Sequence, residues 1–188
     1  MLMKKTWSMR PQAILSRRLA VSGLFELLAQ RPYAEISISD ICRQGGISRQ
    51  TFYRNFDSRE ETVLYYIYHL MSHFIDRAEG DMDRDLSRFF HEMPLTPDLL
   101  ILLRENHLMY LLRDSVMELI RLFMKTEFYS TSLPVHGYDD YYAGYLTDTL
   151  ISLLETWADR DFQDSTDDLY LLMRHFLSGR SADGTSVG

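Results

Sequence analysis

The 188-residue chain holds a single cysteine, five prolines and nine glycines. One cysteine rules out an internal disulfide framework and fits a reducing compartment. Cys42 sits in a short helical stretch, where a small packing residue is expected rather than a nucleophile. No stretch reaches the roughly 20 apolar residues of a membrane span, and the closest, Thr62 to Ile75, is interrupted by His69, Ser72 and His73. The opening MLMKKTWSMR lacks the apolar core and cleavage site of a signal peptide, so a soluble, cytoplasmic protein without membrane contact is expected. The motifs of common enzyme chemistry are also missing: there is no glycine-rich phosphate loop, His-Glu-x-x-His, paired-cysteine zinc pattern or Gly-x-Ser-x-Gly. The six histidines are scattered, and His69 with His73 makes only two ligands on one helix face. Neither an enzyme nor a metal or cofactor site is expected, and no repeat or low-complexity segment is present.

Charge is scarce in one sense only. The formal net charge is −7, yet residues 1–58 carry nine Lys/Arg against four acids, a net +5, which leaves −12 on the rest. A basic head on an acidic body suits contact with a polyanion at one end, because phosphate contacts supply most non-specific affinity for nucleic acid.

Within that head, Ser37 to Arg59 reads SISDICRQGGISRQTFYRNFDSR. Ser37 precedes Asp40 by three residues, Ser48 precedes Thr51 and Ser58 precedes Glu61, so each serine is placed to cap a new helix. Gly45-Gly46 between the first two supplies the left-handed exit that lets one short helix turn directly into another. On the second helix, about Arg49 to Phe56, a step of ~100° per residue puts Phe52 and Phe56 on one side. Gln50, Thr51, Arg54 and Asn55 fall on the other, with Arg49 and Tyr53 at the margin. That outer face has donors and acceptors and no carboxylate. Arginine and glutamine can bridge base edges, Thr51 can meet a thymine methyl, and Tyr53 can donate to a phosphate, which suits a major groove. The same face would also serve as a solvated polar surface.

The segment ISISDICRQGGISRQTFYRNFDSREETVL resembles the DNA-binding signature of the TetR family of bacterial transcriptional regulators. Gly46, Ile47, Ser48, Thr51, Tyr53, Phe56 and Glu60 match its pattern, whereas Gln50, Asn55, Arg59 and Pro32 depart from it. The resemblance implies an all-α protein with a three-helix helix-turn-helix domain over residues 1–58, a helical regulatory and dimerisation domain over 59–178, and a flexible tail at 179–188. Its candidate DNA-contacting residues are Ser37, Ser48, Arg49, Gln50, Thr51, Tyr53, Arg54, Asn55 and Arg59, the last reaching a phosphate. The partners implied are a second copy of the chain and a roughly palindromic double-stranded operator.

Elsewhere helical spacing continues. A first helix is expected from Pro11 to Gln30 with Ile14, Leu15, Leu19, Ala20, Leu24, Leu27 and Leu28 inside and Arg17 and Arg18 outside. Lys4 and Lys5 precede it on a loose arm. Ser58 to about Glu79 should form one helix shared by head and body, acting as a lever between them. Asp81, Asp83 and Asp85 lack the glycine and distal glutamate of a calcium loop and are expected in a solvated linker. Further helices are expected at Leu86–Glu92, Pro97–Arg104, His107–Ser130, Tyr138–Asp159 and Ser165–Leu177, with an STSLPVHG loop before the last two. Phe74, Phe89, Leu103, Tyr110, Met117 and Phe123 are candidate walls of an apolar effector pocket, though core packing explains them equally well. Tyr142, Leu146, Leu150, Leu153 and Trp157, with Leu169, Leu172 and Phe176, form two apolar stripes that can pack inward or dimerise. In TetR-like proteins the last two long helices make the dimer interface. Tyr-Tyr-Ala-Gly followed by a helix ending at Trp157 also resembles a subgroup that includes dihydroxyacetone-kinase regulators. Two functions follow: a dimeric repressor released by a small apolar or amphipathic effector, or a regulator of the same fold that works through a protein partner.

Overall fold

The computed structural model describes residues 10–75, 77, 79, 81–124 and 138–178, without the side chains of His73, Ile75, Met82, Phe123, Leu122 and Ser178. Lys4 and Lys5, the STSLPVHG loop, the 179–188 tail and the Phe123 side chain lie outside the described residues. Among those described there are nine α-helices and no strand: α1 (Pro11–Leu28), α2 (Ile38–Gln44), α3 (Arg49–Asn55), α4 (Arg59–Ile75), α5 (Met82–Glu92), α6 (Pro97–Glu105), α7 (Met109–Met124), α8 (Asp139–Asp159) and α9 (Thr166–Ser178). A 3-10 turn, Tyr33–Glu35, joins α1 to α2. The all-α expectation therefore holds, with helix ends shifted by a few residues as fraying ends usually are. Two compact units are present. The first takes the described residues up to His69 together with Leu102–Ser115, and the second takes Leu70–Ile101 and the described residues from Val116 onward.

In the first unit α1 packs on α2 and α3, and its contact is closest at glycine. A Cβ on Gly23 would lie 2.7 Å from the Gly45 backbone nitrogen, and one on Gly45 would lie 2.4 Å from the Leu19 carbonyl oxygen. Both positions therefore tolerate only hydrogen. This contact turns α1 so that Ala20, Gly23, Leu24, Leu27 and Leu28 face inward. Leu15 and Leu19, expected inside, are 58% and 37% exposed, and Arg17, expected outside, is 2% exposed. The correction has a plain cause: at ~100° per residue Arg17 lies on the Ala20–Leu24–Leu28 arc, its stem is apolar, and its guanidinium stands 5.1 Å from the centre of the Tyr65 ring.

In the second unit α9 packs against α5 and α8. The aspartates expected in a linker instead start α5. Asp81 accepts from the backbone nitrogens of Asp83 and Arg84, each at 3.1 Å, Asp83 accepts from the Tyr170 hydroxyl at 3.1 Å and pairs with Arg174, and buried Asp85 accepts from Arg88 at 2.6 Å. Carboxylates suit the positive end of a helix. At the α8–α9 corner the Trp157 indole donates to the Asp164 carbonyl at 2.9 Å, and Ser165 with Asp168 closes a reciprocal cap.

Gly23→Ala tests the close contact. The substitution favours an isolated helix by about 1 kcal/mol, but here it should destabilise the protein by about 1–3 kcal/mol in urea unfolding, because backbone must move to admit the methyl group. Stabilisation by this variant would refute the packing.

Candidate nucleic-acid interface

The helix-turn-helix is assembled from local bonds. Ser37 caps α2 by accepting from the Asp40 nitrogen at 3.2 Å, while the Asp40 carboxylate accepts from the Ser37 nitrogen at 3.0 Å and its hydroxyl at 2.6 Å. Hydrogen bonds from Ser37, helped by the charge of Arg31, hold the Asp40 carboxyl well below the usual carboxylate range. At the other end of α2, Gly46 takes φ +64°. The Gly46 nitrogen donates to Arg43 at 3.4 Å and the Ile47 nitrogen to Cys42 at 3.0 Å, which is the Schellman arrangement. Gly45 remains right-handed, so of the glycine pair only Gly46 makes the left-handed exit and Gly45 serves the contact with α1.

Ser48 then caps α3, accepting from the Thr51 nitrogen at 3.0 Å. Phe52 and Phe56 are fully buried with ring centres 5.5 Å apart, and Phe56 meets the Tyr65 edge at 5.8 Å. These anchors leave Arg49, Gln50, Tyr53 and Arg54 exposed. Thr51 and Asn55 are half-buried. The Thr51 hydroxyl lies 2.9 Å from that of Ser48 and accepts from Arg54 at 3.1 Å, while the Asn55 amide donates to the Thr51 carbonyl at 2.8 Å. Ser37, Ser48 and Asn55 thus spend hydrogen bonds on helix ends, and the outward surface narrows to Arg49, Gln50, Tyr53 and Arg54. Cys42 is buried and burial pushes its thiol up, as expected of a packing residue.

Arg59 departs from expectation. Instead of pointing toward a phosphate, its guanidinium stands 4.5 Å from the Tyr33 ring centre and donates to the carbonyls of Tyr33, at 3.0 Å, and Ile36. An arginine fork satisfied by two carbonyls and an aromatic face has become a clamp inside the head. The Tyr33 hydroxyl donates to Glu60 at 2.9 Å, and burial with that bond pushes the hydroxyl pKa up. No spacing rule marks Tyr33 as the centre of this cluster.

The residues expected to wall an effector pocket do not all come together. In the second unit an apolar cavity of about 110 Å³ is lined by Phe74 and Phe89, with Met71, Leu146, Leu150 and Met173 among its other walls. Leu103 is buried and Tyr110 half-exposed in the first unit, and Met117 accepts at its sulfur from the Thr147 hydroxyl at 3.6 Å. Of the expected dimer residues, Leu146, Leu150, Leu153, Trp157 and Leu169 are buried within the single chain. Tyr142 is half-buried, and Leu172 and Phe176 are exposed. Among the described residues no group of three His, Cys, Asp or Glu is arranged to hold a metal ion, and no helix is long and apolar enough to cross a membrane.

Ser37→Ala should cost about 1 kcal/mol at neutral pH, the usual worth of a helix cap. Because the bonded Asp40 has a lowered pKa, its contribution is present above the ordinary carboxylate value of about 3.9 and lost as pH falls through the lower folded value. The difference between the two proteins in urea unfolding should accordingly shrink below about pH 4; a difference that grows there would refute the cap.

Comparison with known proteins agrees with this geometry. Residues 21–65 match the model for bacterial regulatory proteins of the tetR family. The HTH-type transcriptional regulator AlkX of Mycobacterium tuberculosis is 32% identical over 84 residues, a match that spans 43% of this chain and 40% of that relative. Over the whole length the fold is shared with Lin0861 of Listeria innocua, at TM-score 0.70 and 17% identity, covering 93% of this chain and 95% of that one. It is also shared with the dihydroxyacetone kinase operon activator DhaS, at TM-score 0.54 and 16% identity, covering 88% and 96%. Residues 21–65 are therefore similar to the helix-turn-helix of bacterial regulatory proteins of the tetR family, and the chain spans less than half the length of the AlkX relative it matches.

Proposed function

We propose that the chain is a cytoplasmic, dimeric transcription regulator that reads a roughly palindromic operator, with residues 1–58 as DNA-binding domain and residues 59–178 as regulatory and dimerisation domain. The observation that carries the reading is the acid-free face of α3, where Arg49, Gln50, Tyr53 and Arg54 stand exposed over the buried Phe52 and Phe56. A surface with no role in recognition has no need to keep two arginines, an amide and a phenol together on a helix pinned at both ends. Repression released by an apolar effector in the body is the form of regulation proposed, α4 acting as the lever. For release, the effector must bind the two states of the head with different affinity. The cavity of about 110 Å³ is below the ~300 Å³ typical of ligand sites, and that favours a second reading in which a partner protein supplies the signal.

The dimer is proposed to form through the apolar surface that the single chain leaves exposed on α8 and α9: Tyr141 (78% exposed), Tyr145 (48%), Leu172 (42%) and Phe176 (45%). Leu172→Asp with Phe176→Asp should then give a monomer in sedimentation at micromolar concentration with unchanged helical circular dichroism. A dimer that survives both charges would place the interface elsewhere.

Selection of bound fragments from random duplex DNA by the purified protein tests the reading directly. Gln50→Ala and Arg54→Ala should each cost about 1–3 kcal/mol for the selected site and relax base preference, as loss of a bidentate base contact does. Tyr53→Phe should weaken all duplexes alike, since a phosphate contact carries no sequence information. If Gln50→Ala and Arg54→Ala leave affinity and preference intact, α3 is not the reader.

A further inference from the structure

The segment that leads into the helix-turn-helix is held from a distant part of the chain. Tyr33 is fixed at its ring and carbonyl by Arg59 and at its hydroxyl by Glu60, all neighbours in the head. Its backbone N–H, however, donates to the side-chain oxygen of Asn106 at 2.7 Å, across 73 residues of sequence. Asn106 occupies the turn between α6 and α7, and that turn is itself closed. The Asn106 amide donates to the Leu102 carbonyl at 2.9 Å, His107 takes φ +57°, and the Leu108 nitrogen donates to Leu103 at 2.7 Å. Leu103, Leu108, Leu111 and Leu112 around it are buried, and Leu102–Ser115 belongs to the same compact unit as the DNA-reading helices. Three residues after Tyr33 comes Ile36, whose carbonyl Arg59 also holds, and then Ser37, the cap of α2.

We propose that Asn106 is a positioning residue for DNA reading: by accepting the Tyr33 N–H it sets where α2 begins, and with it the pose of α3. The inference rests on the DNA-binding reading above. Removing Asn106 takes away the acceptor of the Tyr33 N–H and loosens the start of the segment, which Arg59 and Glu60 still hold at the Tyr33 and Ile36 carbonyls and the Tyr33 hydroxyl, while no contact to DNA is touched.

The test uses the full-length protein with Asn106→Leu, which removes the acceptor at similar volume, and Asn106→Asp, which keeps it; both lose the amide donor to the Leu102 carbonyl, so the difference between them reports the bond to Tyr33. Titrated against the selected duplex, Asn106→Leu should bind about tenfold more weakly, the scale of one buried donor left without its acceptor, with the slope of log Kd against log salt unchanged because no phosphate contact is lost. Asn106→Asp loses the donor to the Leu102 carbonyl just as Asn106→Leu does but keeps the acceptor for Tyr33, so it should bind several-fold more tightly than Asn106→Leu. Asn106→Leu binding like the parent, or Asn106→Asp failing as badly as Asn106→Leu, overturns the proposal. If Asn106→Leu does not fold, amide hydrogen exchange in the unaltered protein decides: the Tyr33 N–H should exchange far more slowly than that of exposed Ala34, and equal rates overturn it. Failure of the unaltered protein to select any duplex would instead count against the DNA-binding reading, and the exchange comparison would still judge the bond.

Discussion

A methyl group at Gly45 would sit 2.4 Å from the Leu19 carbonyl, and one at Gly23 would sit 2.7 Å from the Gly45 nitrogen. Two backbones are in direct contact there, with no side chain between them. The contact makes the crossing of α1 and α2 a matter of hard-sphere sterics rather than of adaptable side-chain packing. The rest of the head follows from it. The Schellman turn at Gly46 hands the direction of α2 on to α3 through two backbone hydrogen bonds, and Phe52 and Phe56 then lock α3 against the interior. The exposed face of α3 is a consequence of this chain of constraints.

The basic character of the head is less available to DNA than a count of arginines implies. Arg17 is buried over Tyr65, Arg59 clamps Tyr33, and Arg31 and Arg43 both pair with Asp40, at 3.1 and 2.6 Å. Guanidinium groups lend themselves to such internal work because a planar fork can serve carbonyls, carboxylates and aromatic faces together. Among the described residues of the head, Arg49 and Arg54 stay exposed on α3 and Arg18 on α1.

The body shows the corresponding ambiguity of apolar stripes. Leu146, Leu150, Leu153 and Trp157 recur along one side of α8, and the same recurrence serves a dimer seam or an internal core. Here it serves the core; the exposed apolar residues of the two helices are Tyr141, Tyr145, Leu171, Leu172 and Phe176. Cavity walls were subject to the same confusion. Phe74 and Phe89 belong to the cavity, but Leu146 and Leu150 line it too.

What the sequence by itself determined is what short-range physics decides: serine caps, the left-handed glycine, the period of each helix, and the split of α3 into two buried phenylalanines and a polar outer face. Each depends on residues within a few positions of one another, where bond geometry leaves few alternatives. Tertiary structure alone decided which way α1 faces, that Arg17 and Arg59 turn inward, that Asn106 reaches Tyr33, and which leucines are core. Those outcomes depend on which surfaces meet, and residues far apart in the chain carry no local mark of being neighbours. Arg59 is the clearest case: on its own it is a cation at a helix start, and only the approach of the Tyr33 ring and two carbonyls makes it a clamp.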